Sequence, residues 1–340
     1  MNYIGSKLKL SDFIVQSITQ RVAESKPLRE CVFCDLFAGT GAIGRAFKRK
    51  VCKVIANDRE FYSFVLNQNY IANHTPIQNL NALVANLNNL QGIKGKIYEN
   101  YSLGGTQGKA HQRLYFSDSN AMKIDAIRNE IEHLKQQNAI DSNVYYFLLA
   151  SLLESADKVA NVASVYGAFL KNLKKSALKP MEFKGAIYEF NDNSHEVFNE
   201  NASDLIAKIS GDILYLDPPY NAREYGANYH LLNTIAMYDD FTPQGKTGLR
   251  AYQKSDFCKK SSALDALENL VRNADFEWIF LSYNDEGILG LEQIAKVFQK
   301  YGKYECVSKN YQRFKADSTR NHKQESTIEY LHILRKDTKT

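Results

Sequence analysis

An acid, two prolines and an aromatic stand in succession at Asp217-Pro218-Pro219-Tyr220. A carboxylate and a proline-locked carbonyl can accept hydrogen bonds from an exocyclic amino group, and a tyrosine ring can lie against a flat base. Consecutive prolines neither continue a strand nor start a helix without a break, so the backbone is rigid where these groups are presented. Taken alone, the four residues also read as a polar turn with a buried tyrosine. A second set upstream favours chemistry. In Ala38-Gly39-Thr40-Gly41-Ala42-Ile43-Gly44, glycines let the backbone turn tightly and approach a ligand, and the helix they open favours a negative group at its start. Asp58 ends the next apolar run, where an acid can take two ribose hydroxyls. The spacing departs from G-x-G-x-x-G and no G-K-[ST] follows, which disfavours dinucleotide and P-loop readings.

The elements around these residues form an α/β pattern. Asp212 to Leu216 reads as a buried strand leading into the prolines. Cys31 to Phe37 reads as a strand running into the glycine turn, and Val51 to Ala56 as the strand that ends at Asn57-Asp58. Leu8, Phe13, Ile14, Ile18 and Val22 mark a first helix, and Phe61, Phe64, Val65, Tyr70 and Ile71 another after Asp58. From about residue 76 the pattern changes. Asn-rich sequence with Gly104, Gly105 and Gly108 reads as loops through about 117. Two helical stretches follow, the first capped at Asp118 or Ser119 and the second at Asp141 or Ser142. Strand-like runs return at 212–217, 278–283, 304–312 and 328–335. The separation between Asp58 and Asp217 is too long for a loop in one compact sheet, so an inserted lobe is expected.

Three segments, in order, resemble one family: Asn2-Tyr3-Ile4-Gly5-Ser6-Lys7, Asp35-Leu36-Phe37-Ala38-Gly39-Thr40-Gly41, and Asp217-Pro218-Pro219-Tyr220. They occur in this order in the D12 class of DNA adenine-N6 methyltransferases, which includes Dam-type enzymes and type II restriction-modification methylases. Ser282-Tyr283-Asn284 and Glu329-Tyr330-Leu331 sit where the family's later strands fall. The motif order is that of the α group, and residues 113–175 and 245–262 resemble the restriction-modification subset, including methylases that read CATG. The resemblance implies an α/β, Rossmann-like methyltransferase sheet, mostly parallel with an antiparallel strand near the C-terminus, plus a largely helical inserted lobe. The methyltransferase domain is then 1–75 with 190–340, and 76–189 is the target-recognition lobe.

The resemblance also implies S-adenosylmethionine as cofactor and double-stranded DNA as substrate. Adenine N6 is a poor nucleophile because its lone pair is delocalised, so rate comes from alignment and from acceptors that stabilise developing positive charge. By resemblance Asp217 and the Pro218 carbonyl are those acceptors, with Pro219 completing the motif and Tyr220 stacking on a base flipped from the duplex. Tyr3, Lys7, Phe37, Gly39, Gly41, Asp58 and Asp217 match cofactor positions. Asn201 stands where the family often has an acid, and Asn can still bond an adenine edge. Methylation of RNA or a protein glutamine, and a DNA-binding regulator with a dead methylase fold, are the alternatives. A cognate restriction endonuclease would share the target site without stable association.

Composition is consistent with an enzyme. The 340 residues can bury a large core, and the net charge of +5 is too modest to mark a nucleic-acid binder. No run of about eighteen apolar residues occurs, so no membrane span is expected, and no apolar signal region opens the chain. Cys31 and Cys34 read as buried thiols rather than half of a metal site. These features point to the cytoplasm. Lys171, Lys174, Lys175 and Lys179 have helical spacing and read as a solvated face. Lys246, Arg250, Lys254, Lys259 and Lys260 lie beyond the catalytic strand in a Gly- and Ser-containing segment suited to phosphates. The polar stretch 92–117, with Lys94, Lys96, Lys109, His111 and Arg113, is the candidate for base and phosphate contacts. DNA contacts are expected from Arg113, Lys246, Arg250 and Lys254.

Overall fold

The computed structural model describes residues 7–73, 76–312 and 326–337. Seven strands form one sheet: β1 Val32–Asp35, β2 Lys53–Asn57, β3 Glu196–Phe198, β4 Ser210–Leu216, β5 Asp275–Asn284, β6 Gly302–Gln312 and β7 Ser326–Lys336. Their order is β3-β2-β1-β4-β5-β7-β6. All pairings are parallel except those of β7, which runs antiparallel to β5 and β6. The expected mostly parallel sheet with an antiparallel strand near the C-terminus is therefore present. The near-continuous apolar runs at Ile213–Leu216 and Trp278–Leu281 are buried, as required of strands covered on both faces. One face packs on helices Ala263–Asn273 and Leu291–Gln299 through Leu267, Leu270, Val271, Ile294, Val297 and Phe298. The other buries Phe33 against Phe47 of helix Ala42–Phe47, with ring centroids 4.2 Å apart. Strand order reverses between β1 and β4, the switch point where open α/β sheets bind ligands.

The chain divides into two compact units. One comprises residues 5–67, 191–224 and 254–340 and holds the sheet; the other comprises 1–4, 68–190 and 225–253. The second unit is helical, built around Asp118–Gln136 and Ser142–Val159, which pack on each other. Ser117 caps the first, accepting from the Asn120 N–H, and Asp141 caps the second, accepting from the Val144 N–H at 2.8 Å. Buried Arg128 donates to the Ile235 and Ala236 carbonyls, satisfying the C-terminal end of helix His230–Met237.

Two expectations fail here. Residues 80–88 and 96–106 are not loop but helices Leu80–Asn88, Lys96–Tyr101 and Leu103–Thr106. The glycines serve close approach, since a Cβ on Gly105 would lie 1.9 Å from the Tyr98 carbonyl oxygen. Buried Asp125, distant in sequence, accepts the N–H groups of Gly95, Ile97 and Tyr98 and so caps helix Lys96–Tyr101. Conversely, 160–190 is irregular, and the lysines at 171–179 do not share a helix face. Three asparagines hold it. Asn161 bonds the Leu170 carbonyl and the Lys174 N–H; Asn120 bonds the Ala177 and Lys179 carbonyls and the Met181 N–H; Asn88 bonds both backbone groups of Phe183. Each amide presents a donor and an acceptor, as a neighbouring strand would.

Candidate active site

Three strand ends assemble the site within the sheet unit. Asp217 follows β4 directly, and the backbone break at Pro218 and Pro219 keeps it there. β5 pairs with β4 and ends at Asn284. The antiparallel register sets Asn284 opposite Glu329, so Glu329, near the start of β7, reaches the same rim as Asp217. Lys7, in the short 3-10 turn Lys7–Lys9, closes the group. Its Nζ lies 3.0 Å from Asp217 Oδ1 and 3.0 Å from Glu329 Oε1, and 5.3 Å from the centre of the Tyr220 ring. Glu329 is wholly buried, Lys7 nearly so, and Asp217 is 17% exposed. The Ser282 hydroxyl donates to Glu329 Oε1. Glu329 Oε2 is buried with no hydrogen-bond partner among the described residues.

The electrostatics follow from this packing. Burial works against the Lys7 charge, but Asp217 and Glu329 outweigh it and hold its pKa well above the usual range. Burial pushes the Asp217 carboxyl up to about 6; Lys7 opposes the rise and the Glu329 charge adds to it. Tyr220 is fixed by its backbone, since its carbonyl accepts the Ile288 N–H at 2.8 Å. Its ring stands edge-on to Tyr283, with centroids 6.1 Å apart.

The glycine turn lies at the neighbouring strand ends. Gly39 and Gly41 take left-handed conformations, φ 52° and 76°, and a Cβ on Gly41 would meet Asn67 Oδ1 at 2.6 Å. Asp58 accepts the Gly39 N–H at 2.8 Å and the Glu60 N–H at 2.9 Å, one through each oxygen. An ionised carboxylate has about four acceptor sites, so Asp58 can still take a pair of hydroxyls. Asp35, at the end of β1, accepts the Gly44 N–H with Oδ2, and its Oδ1 is buried without a partner among the described residues. Burial, reinforced by the charge of Asp217, pushes it up to about 8. Phe37 packs edge-on against Phe257 at 5.3 Å.

Asn201 is exposed and caps helix Ala202–Leu205 by accepting the Ser203 N–H. Asn57 latches the same segment to β2 by bonding both backbone groups of Glu200. Thus Lys7, Asp217, Pro218, Pro219 and Tyr220 cluster at the end of β4, and Phe37, Gly39, Gly41, Asp58 and Asn201 around the ends of β1, β2 and β3. Tyr3 lies outside the described residues. Glu329 and Ser282 escaped sequence reasoning as site residues. The available signal was an acid set among Ile328, Tyr330 and Leu331 in a strand-like run.

In the helical unit, Arg113 is only 6% exposed. Its guanidinium donates to the carbonyls of Asn100, Gly245 and Lys246. Arg250 pairs with Asp239 through both terminal nitrogens, at 2.7 and 2.8 Å, and lies over the Phe241 ring. Both guanidinia are thus committed to the protein. Lys246 and, in the sheet unit, Lys254 are exposed.

The model of the D12 class N6 adenine-specific DNA methyltransferases matches residues 3–301. The chain belongs to this family. The methyltransferase is 57% identical over 338 residues to the type II methyltransferase M.NlaIII of Neisseria lactamica, covering 99% of each chain. It is 39% identical over 320 residues to M.CviAII of Paramecium bursaria Chlorella virus 1, covering 93% of each. It is 35% identical over 358 residues to M.FokI of Planomicrobium okeanokoites, of which it spans about half, 53%. The enzyme is an S-adenosylmethionine-dependent DNA adenine-N6 methyltransferase, as the resemblance implied. The open acceptor sites of Asp58, the left-handed glycines and the unpartnered Asp35 oxygen fit a cofactor carrying a ribose and an amino group. Among the described residues no helix is long and apolar enough to cross a membrane.

Proposed function

We propose that the enzyme methylates one adenine of a short duplex site as the modification partner of a type II restriction-modification system, with Asp217-Pro218-Pro219-Tyr220 as its catalytic residues. A cognate endonuclease would act on the same site without stable association. CATG, carried by the resemblance, is the first sequence to test. The methyl-transfer domain is 1–75 with 190–340. The lobe 76–189, to which the second compact unit adds 225–253, reads the target.

The observation that carries this reading is the buried Lys7–Asp217–Glu329 group beside a proline-fixed carbonyl and a tethered Tyr220. S-adenosylmethionine supplies a methyl group activated on a sulfonium. Asp58 would hold its ribose, Gly39 and Gly41 would let the backbone close on it, and Phe37 and Asn201 would flank its adenine. Asp217 and the Pro218 carbonyl orient the two N6 hydrogens of the flipped adenine, which leaves the nitrogen lone pair directed at the methyl carbon. Tyr220 stacks on that base. As N6 acquires positive charge, the Asp217 carboxylate stabilises it and can take its proton. DNA contacts are assigned to Lys246 and Lys254, with Arg113 and Arg250 shaping the loop that carries Lys246. Methylation of a defined plasmid, followed by modification-sensitive sequencing, tests the reading. N6-methyladenine at one short motif is expected; label in cytosine, or in RNA or protein only, overturns it.

A further inference from the structure

Glu329 is the least explained part of the site. A wholly buried carboxylate is retained in proteins when paired or functional, and this one shares its partner with another carboxylate. Lys7 alone would neutralise Asp217. With Glu329 present, three ionised groups sit on one 3.0 Å contact chain, two negative and one positive. We propose that Glu329 is a positioning residue for methyl transfer: acting through Lys7, it makes Asp217 part of a single buried unit of net charge −1 that can accept one proton. This rests on the assignment of Asp217 above.

The balance of the step shows what the extra charge does. N6 forms a bond to the methyl carbon as the carbon–sulfur bond breaks, and that electron pair stays on sulfur. The N6 proton passes to the Asp217 carboxylate. The unit then goes from −1 to neutral. Without Glu329 it would go from neutral to +1, beside a nitrogen that has just been cationic. Glu329 also holds the Lys7 ammonium against Asp217 Oδ1, leaving Oδ2 for the base. The Ser282 hydroxyl, donating to Glu329 Oε1, fixes the carboxylate in place against Lys7.

Other titratable groups face this unit from every neighbouring element. Asp35 comes from β1, Tyr215 from β4, Tyr311 from β6, and Tyr220 and Glu286 from the segments after β4 and β5. The three tyrosines are pushed upward by burial first and stay neutral through the assay range. Asp35 titrates within it, but it is identical in the proteins to be compared and cancels in the difference between them.

The test is the pH dependence of single-turnover methylation of a cognate duplex by the full-length wild type, Glu329→Gln and Ser282→Ala. In Glu329→Gln the plateau rate should fall about tenfold, because the acceptor is less basic. Its acidic limb should move about one pH unit lower, while cofactor affinity stays within about twofold of wild type. In Ser282→Ala, where the Glu329 carboxylate loses the donor that fixes it against Lys7, the plateau rate should fall in the same direction as in Glu329→Gln, with cofactor affinity again within about twofold of wild type. A Glu329→Gln enzyme with wild-type rate and limb overturns the proposal, as does one whose cofactor affinity falls in step with its rate. If Glu329→Gln does not fold, Ser282→Ala decides alone, and a wild-type plateau rate in that variant overturns it. Asp217→Ala separates the two levels: if that variant keeps the wild-type rate, the assignment of Asp217 fails rather than the role of Glu329.

Discussion

Replacing Asp217 by Ala should lower methyl transfer roughly 10²–10³-fold and leave the fold and cofactor site in place. The structure explains why the two separate. Lys7 keeps Glu329 at 3.0 Å, so its buried ammonium is not orphaned when Asp217 goes. Asp58 and the glycine turn lie at other strand ends and donate or accept nothing to Asp217. What is lost is an acceptor of full charge in a dry site. Removing one such group costs about 2.7–4 kcal/mol of transition-state stabilisation, which at about 1.36 kcal/mol per decade is a fall of roughly 10²–10³. Asp58→Ala should do the reverse. It should weaken cofactor binding about 10- to 100-fold, the loss of charge-assisted hydrogen bonds, yet keep the rate at saturating cofactor within about threefold. Single-turnover methylation and calorimetric titration of the cofactor measure the two quantities. The wild-type rate should also fall as pH drops through about 6, because burial pushes Asp217 up to that value and a protonated Asp217 cannot accept from N6. This acidic limb should be absent in Asp217→Ala. Equal loss of turnover at saturating cofactor in both variants would refute the division of labour.

Gly41→Ala should reduce cofactor affinity and stability together, by about 1–3 kcal/mol in chemical denaturation, because φ is 76° and the new Cβ would sit 2.6 Å from Asn67 Oδ1. Arg113→Ala should destabilise the protein by roughly 2–4 kcal/mol, since the carbonyls of Asn100, Gly245 and Lys246 lose their donor; an unchanged melting midpoint would free Arg113 for DNA contact. Lys246→Ala and Lys254→Ala should weaken binding to cognate and mismatched duplexes alike, each lowering the salt slope by about 1; a selective loss on one sequence would make the lysine a base reader instead.

The parts of the site made by consecutive residues were legible in the sequence. Asp217 to Tyr220 declares itself because two prolines break a strand wherever they occur. The glycine turn and Asp58 are equally local: each is a strand and the few residues after it, and turn chemistry depends on near neighbours. The helices capped near 118 and 141 and the strands at 212, 278, 304 and 328 were readable for the same reason, as short-range periodicity. Contacts made across long stretches of chain were not. Glycines 104 and 105 looked like a loop because nothing nearby shows that Tyr98 needs the space, or that Asp125 will cap residues 95–98 from another helix. The lysines of 171–179 kept helical spacing, yet Asn120 from another helix and Asn161 from just upstream hold that segment irregular. Arg113 and Arg250 are basic in sequence and engaged in structure. Glu329 is the sharpest case. Its type and number were plain, but only the insertion of β7 between β5 and β6, in a register setting it beside Asn284, carries it to the end of β4 and Lys7. Sequence fixes which groups can ionise; burial and the company of other charges, which tertiary packing alone decides, fix what that ionisation does.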